Sequence, residues 1–289
     1  MQAARENYLG ISLMAFAMLV IPISDGIVKI LSEDYAILFL NWIRFLIGGM
    51  IFIPLTLILH KGHKLQRHEM ASLSLRTVLH VLAISLYFLA ISTVPLADAL
   101  GAYFVAPIVA IIFAAILLGE RVSLIQLSSV MLGFIGAMIV VRPGPTMDIG
   151  MVYAVLSGVV FGLFLVLTRK AGKTVPPIIT LGFQCGIGSL LLLPIAIYVW
   201  SPIQWADVAL MVAAGVIWAI GHFAIIQAFK RSLATVLAPF VYVEILGGVG
   251  VGYLFFRDIP SSMTVTGILI VVTAGLLARY RGIEPATKN

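Results

Sequence analysis

The sequence predicts an all-α integral membrane fold, with ten transmembrane helices arranged as two inverted five-helix repeats. Three observations carry this. Only 10% of the 289 residues are charged and 62% are hydrophobic, whereas a soluble domain carries about 25% charged residues. The apolar residues come in blocks, each near the roughly 20 residues that a helix needs to cross a bilayer. The chain also matches itself at an offset of 140, Gly10 meeting Gly150.

The blocks place helices at 9–31, 36–59, 76–93, 97–118, 124–141, 149–168, 177–200, 207–229, 234–256 and 262–279. Strands do not fit, because blocks this long lack period-two alternation. In hydrocarbon the backbone must bond to itself, which leaves helix. Polar and breaking residues fall in the gaps, as in Ser32-Glu33-Asp34, Arg142-Pro143-Gly144-Pro145 and Ser201-Pro202. The first block is too long for a signal-peptide core, and no small-x-small cleavage site follows it, so it reads as a membrane anchor. The lone Cys185 excludes a disulfide framework and a cysteine metal site.

Charge placement sets the expected orientation. With the N-terminus cytoplasmic, fourteen of the eighteen Lys and Arg residues fall in inner segments: Arg5, Lys61, Lys64, Arg67, Arg76, Arg121, Arg169, Lys170, Lys173, Lys230, Arg231, Arg279, Arg281 and Lys288. The outer gaps carry Glu33, Asp34, Asp148, Asp207 and Asp258 instead, and Trp200 and Trp205 fall at the outer interface. The expectation is a multi-pass protein of the bacterial inner membrane with both termini cytoplasmic. The net charge of +6 forms no basic face, so no nucleic-acid partner is expected.

The internal repeat continues as Lys29 with Arg169, Gly48 with Gly188, and Pro54 with Pro194. With a slipped offset it runs on as Leu96-Ala97 with Leu233-Ala234, Glu120 with Asp258, and Gly136 with Gly275. Five helices per half is an odd number, so the second half enters the membrane from the opposite side. The expected units are 1–141 and 149–289, joined by a linker at 142–148. Inverted repeats are the architecture of many secondary transporters, with a substrate site between the halves near the midplane.

Two stretches carry a family resemblance. The first is Ala99-Leu100-Gly101-Ala102-Tyr103-Phe104-Val105-Ala106-Pro107 with Leu117-Leu118-Gly119-Glu120-Arg121. The second is Tyr242-Val243-Glu244 with Phe255-Phe256-Arg257-Asp258-Ile259-Pro260. On these the chain resembles the EamA-like, ten-helix group of the drug/metabolite transporter superfamily. It departs from the pattern at Phe256-Arg257-Asp258, where Gly-Glu is common. Asp25-Gly26-Ile27-Val28-Lys29-Ile30-Leu31, then Tyr35 and Trp42-Ile43-Arg44, is similar to a bacterial branch that includes S-adenosylmethionine and riboflavin transporters. The resemblance implies a central cavity lined by helices 1–4 and 6–9, with helices 5 and 10 peripheral.

Charged residues inside a membrane cost about 2.5–3.5 kcal/mol each on insertion scales, so they usually have a reason to be there. Glu244 lies near the middle of helix 9 and reads as a proton-coupling carboxylate or a counter-ion for a cationic substrate group. The plain alternative is a neutral, hydrogen-bonded carboxyl. Arg44 lies roughly 12 Å deep. It can hold a substrate carboxylate or phosphate, or pair with Asp25. Asp25 and Lys29 share a helix face by i, i+4 spacing, which is that of an ordinary intrahelical pair. Trp218 and His222 also share a face and can line a cavity by stacking, with packing as the rival reading. Tyr103 and Tyr242 are further aromatic candidates for the cavity wall.

His60, His63 and His68 have no evident set of partner ligands, so no metal is expected, and no cofactor either. Neither a P-loop nor a Gly-x-Ser-x-Gly elbow is present. The reading is a secondary transporter of a small organic metabolite (an amino acid, or a cationic or zwitterionic compound such as S-adenosylmethionine) working by alternating access. A proton is one candidate for coupling, and a homodimer one option for assembly. A lipid-acting membrane enzyme would need clustered His or paired carboxylates at one interface. A receptor or scaffold would not need charges at the midplane.

Overall fold

A computed structural model describes residues 2–60, 62, 64–91, 93–94, 99, 102–141, 149–257, 259 and 261–281. Among these residues the chain forms ten helices and no strand. They are α1 (Gln2–Leu31), α2 (Ile37–Leu59), α3 (Arg67–Ile91), α4 (Ala106–Leu118), α5 (Leu124–Val141), α6 (Ile149–Ala171), α7 (Pro177–Tyr198), α8 (Trp205–Arg231), α9 (Ala234–Phe256) and α10 (Ser262–Arg281). Eight are long and apolar enough to cross a bilayer, and α4 and α10 contribute shorter apolar helices. The chain is a multi-pass, all-helical membrane protein. The proposed 142–148 linker and Asp258 lie outside the described residues.

Local chemistry explains where the helices start and stop. Ser123 and Gln126 form a reciprocal box at the start of α5: the Ser123 N–H donates to Gln126 Oε1 at 2.9 Å, and the Gln126 N–H donates to Ser123 Oγ at 3.2 Å. This satisfies two of the donors that a helix start leaves unpaired. The Thr264 N–H likewise donates to Ser261 Oγ at 3.2 Å at the start of α10. The α4 helix ends on Gly119 in the left-handed region at φ 66°, and α9 ends on Arg257 at φ 59°. Glycine suits such a C-terminal cap. Arg257 is the one non-glycine residue with positive φ among the described residues.

The helices depart from the sequence expectation in several places: α1 begins at Gln2 rather than near residue 9, and α4 at Ala106 rather than near residue 97. The α3 helix begins at Arg67 rather than near residue 76, because the polar segment 67–75 still forms helix. Its start is held by the Gln66 N–H donating to Glu69 Oε2 at 2.9 Å. Arg76 is therefore not in the loop but nine positions along the helix (67 to 76), roughly 13 Å from its start. The α9 helix changes pitch along its length. It is α-helical over Ala234–Leu237, 3₁₀ over Ala238–Val243 and α-helical again from Glu244 to Phe256. Pro239 sits in the 3₁₀ turn, where it removes a backbone donor.

The two halves are interlaced. α1 packs on α8, α2 on α7, α3 on α6 and α5 on α10; α1 also packs on α9, and α6 on α4. Exchanging the first five helices for the last five turns this set of pairs into itself. The contacts agree in detail. A β-carbon on Gly10 would meet Ser232 Oγ and, at 3.3 Å, the Ala228 carbonyl oxygen. One on Gly150 would meet Thr93 Oγ1 and, at 3.1 Å, the Ala90 carbonyl oxygen. Gly48 faces Cys185, and Gly188 faces Phe45. Lipid tails are as apolar as leucine, so close packing rather than burial from water holds such helices together, and these glycines let the backbones approach. Leu57, Ile116, Leu124, Leu190 and Leu269 stay exposed, as suits side chains in contact with lipid.

The two ends of the bundle differ. At one end, Tyr35 after α1 donates its hydroxyl to Asp207 Oδ2 at 2.8 Å and accepts the Gln204 N–H at 2.9 Å, joining the α1–α2 and α7–α8 connections. At the other end Glu120, after α4, ties three elements. Its Oε1 lies 3.4 Å from Arg169 Nε of α6, and its Oε2 accepts the Thr235 N–H at 3.0 Å at the start of α9. Arg169 Nη1 donates to the Phe229 carbonyl of α8 at 2.7 Å.

Candidate functional site

The expected charged residues converge inside the bundle. Arg44 of α2 is buried, and its Nη2 lies 2.8 Å from Asp25 Oδ1 of α1 and 2.9 Å from the Ser24 carbonyl. Asp25 keeps 51% of its side chain exposed while Arg44 keeps 7%, so one carboxylate oxygen stays free of the helices around it. The i, i+4 partner Lys29 turns away. Its ammonium sits 4.0 Å from the centre of the Phe256 ring, and among the described residues Asp25 pairs with Arg44 instead.

Glu244 opens the second α-helical part of α9 and is half-buried. It follows directly on the 3₁₀ turn, where the backbone stays right-handed helical and the Glu244 N–H remains bonded to the carbonyls of Val241 and Tyr242. Tyr87 of α3 and Tyr103, just before α4, both feel the charges of Glu244 and Asp25. Their rings are 5.4 Å apart, and Tyr103 continues onto Phe161 of α6 at 5.3 Å. The ion pair Arg44–Asp25 and the Tyr87–Tyr103 ring pair are thus direct contacts, and Glu244 lies within electrostatic range of Asp25 and of both tyrosines.

Trp218 and His222 of α8 sit together as their spacing predicts, with ring centroids 4.2 Å apart. They continue the aromatic wall toward α3 and α6. The His80 ring is 4.7 Å from His222 and 4.4 Å from Phe164, on which it stacks. Phe45 meets Trp218 at 4.7 Å. Tyr242 does not join them. Its ring packs against Gly133 of α5, it is fully buried, and its hydroxyl donates to the Phe104 carbonyl at 3.2 Å. It is a packing residue behind the wall.

The sequence reading missed Arg76 and His80. Both are buried in the protein interior, at 0% and 2% exposure. Arg76 Nε donates to Thr168 Oγ1 at 2.8 Å, and its guanidinium carbon lies 4.7 Å from the centre of the Phe164 ring. Arg76 Nη1 and Nη2, both nitrogens of the His80 ring and His222 Nδ1 make no hydrogen bond among the described residues. An unpaired buried polar group costs about 1–3 kcal/mol, and a buried ion without its partner costs several. The signal was present as an Arg-x-x-x-His spacing, which puts both side chains on one face of α3.

Comparison with known proteins agrees with this architecture. The sequence profile of the EamA-like transporter family matches twice, over residues 8–142 and 148–280. The chain belongs to the EamA-like transporter family. It is 28% identical over 280 residues to the pseudopaline exporter of Pseudomonas aeruginosa strain UCBPP-PA14, covering 94% of this chain and 96% of that one. It is 23% identical over 290 residues to the S-adenosylmethionine uptake transporter of Rickettsia prowazekii, covering 97% and 96%. The riboflavin transporter of Rhizobium johnstonii is 26% identical over 208 residues, covering 70% and 67%. A solved crystal structure with 18% sequence identity superposes with a TM-score of 0.77 over 95% of this chain and 98% of that one, so the two share a fold. As a member of this family the protein is a membrane transporter for a small molecule, not an enzyme.

Proposed function

We propose that this EamA-like protein is a secondary transporter of a cationic or zwitterionic organic metabolite in the bacterial inner membrane. The observation that carries the reading is the pair of aromatic rings Tyr87 and Tyr103, 5.4 Å apart, within electrostatic range of both Asp25 and Glu244. Two carboxylates and two aromatic rings are the chemistry that receives an organic cation. Arg44 offsets the charge of Asp25 at 2.8 Å, so the site carries net negative charge when Glu244 is ionised. Relatives named for uptake of S-adenosylmethionine fit that chemistry, since the compound carries a sulfonium and an ammonium group.

Transport proceeds by alternating access with N-terminus and C-terminus cytoplasmic, and Glu244 carries the coupling proton or acts as counter-ion. The interlaced packing bears on which bodies move. They are α1 with α8 and α9 against α6 with α3 and α4, rather than residues 1–141 against 149–289. The test is a thermal-shift screen of purified protein against amino acids, nucleosides, S-adenosylmethionine and quaternary amines, followed by uptake into proteoliposomes. Stabilisation and uptake are expected for cationic or zwitterionic compounds. Responses confined to neutral or anionic compounds would overturn the reading.

A further inference from the structure

A second, basic site lies deeper in the bundle than the acidic one. Along α3, Arg76 and His80 precede Tyr87 by eleven and seven positions (76 to 87, 80 to 87), which separates Arg76 from the tyrosine level by roughly 16 Å. His222 of α8 stands beside His80, with ring centroids 4.7 Å apart. Among the described residues no carboxylate pairs with Arg76; the ion pairs there are Arg44–Asp25, Arg169–Glu120 and Arg231–Glu6.

We infer that Arg76, His80 and His222 form a subsite for a carboxylate group on the transported metabolite. Three features of the side chains carry this. Thr168 Oγ1 holds Arg76 by its Nε at 2.8 Å, leaving Nη1 and Nη2 without an acceptor. These nitrogens belong to the planar fork that receives carboxylates in preference to spherical ions. The imidazoles of His80 and His222, 4.7 Å apart, have three ring nitrogens unbonded, and each imidazole supplies a donor in either tautomer. Phe164 and Trp218 pack against these groups, offering apolar surface to an organic body rather than to a hydrated inorganic ion. The subsite deepens the transport reading and rests on it for its purpose. Together the two sites describe a substrate with a cationic end toward Asp25 and Glu244 and a carboxylate end toward Arg76.

The experiment is a binding titration on purified, full-length protein in detergent, so its outcome does not depend on transport. The probes are benzoate, its neutral counterpart benzamide, and chloride at matched ionic strength. Tryptophan emission and melting temperature are the readouts, with Trp218→Phe as the control for the origin of the fluorescence. Benzoate should give a saturable response and a higher melting temperature, and benzamide and chloride should give neither. Arg76→Gln should weaken benzoate at least tenfold, and Arg76→Lys should weaken it about as much because the fork is lost. Without ligand, Arg76→Gln should melt no lower than the parent, since it removes a buried cation with no carboxylate partner; a merely structural arginine would give a lower melting point. Equal responses to benzamide or chloride, or no benzoate response, would overturn the subsite. If metabolite uptake is measured in that case, the transport reading still stands. Benzoate binding with no uptake of any metabolite would fail the transport reading and leave the subsite intact.

Discussion

Glu120 and Arg169 meet at 3.4 Å, one following α4 and the other near the end of α6, with their side chains 3% and 12% exposed. Through Thr235 and Phe229 the same pair reaches α9 and α8. The symmetry-related position of Arg169 is Lys29, which rests on the Phe256 ring. One end of the bundle is therefore sealed by charge, while Asp25 near the other end stays half exposed.

Removing that seal should loosen the four segments together. Breaking a buried ion pair costs about 3–5 kcal/mol. Glu120→Gln keeps an acceptor for the Thr235 N–H, so a loss near the low end is expected. Thermal unfolding in detergent gives the value. A melting point equal to that of the parent would mean the pair contributes nothing to closing this end.

Glu244→Gln should insert and purify like the parent yet lose net transport or its pH dependence. The residue is half-buried after the 3₁₀ turn and takes part in no ion pair among the described residues, so a neutral isostere leaves the packing intact. Asp25→Asn should also unfold more easily, because it takes the carboxylate from a buried guanidinium. Normal uptake of every substrate by Glu244→Gln at all pH values would leave only a packing role.

The left-handed caps give a test of opposite signs. Gly119→Ala should destabilise by roughly 1 kcal/mol and Arg257→Gly should stabilise by a similar amount, since a β-carbon in that conformation costs about 1–2 kcal/mol. Melting curves of the two variants decide it. The same sign for both would mean that the turn after α9 is held by other contacts.

Orientation and repeat can be checked together. Single cysteines at positions 34 and 203 should react with a membrane-impermeant reagent added outside, and those at 64 and 172 should be protected. Superposing α1–α5 on α6–α10 should need a rotation near a half-turn about an axis in the membrane plane. The opposite labelling pattern, or a rotation about the membrane normal, would remove the inverted repeat.

Much of the fold was legible because a bilayer imposes length and composition on every span. The helices at 124–141 and 234–256 were placed to the residue on that basis alone. Asp25, Arg44 and Glu244 stood out because charge is rare in such spans. Arg76 was hidden by the same reasoning. Its helix runs on through the polar segment 67–75, so a hydropathy boundary put it in a loop, where an arginine fits the inside charge bias. Tyr242 lies apart from the other aromatic candidates for a different reason. The 3₁₀ turn before Glu244 has about three residues per turn instead of 3.6, so faces counted on an ideal helix do not carry across it.

The interlacing of α1 with α8 and of α3 with α6 reaches back to biosynthesis. While the ribosome is still making the second half, the first five helices are already in the bilayer with their glycine-lined faces uncovered. Gly10 meets Ser232, and Ala90 meets Gly150, only once the second half has been made. A fragment ending before α6 is therefore an unfinished molecule, while two fragments made separately carry matching surfaces and should recombine.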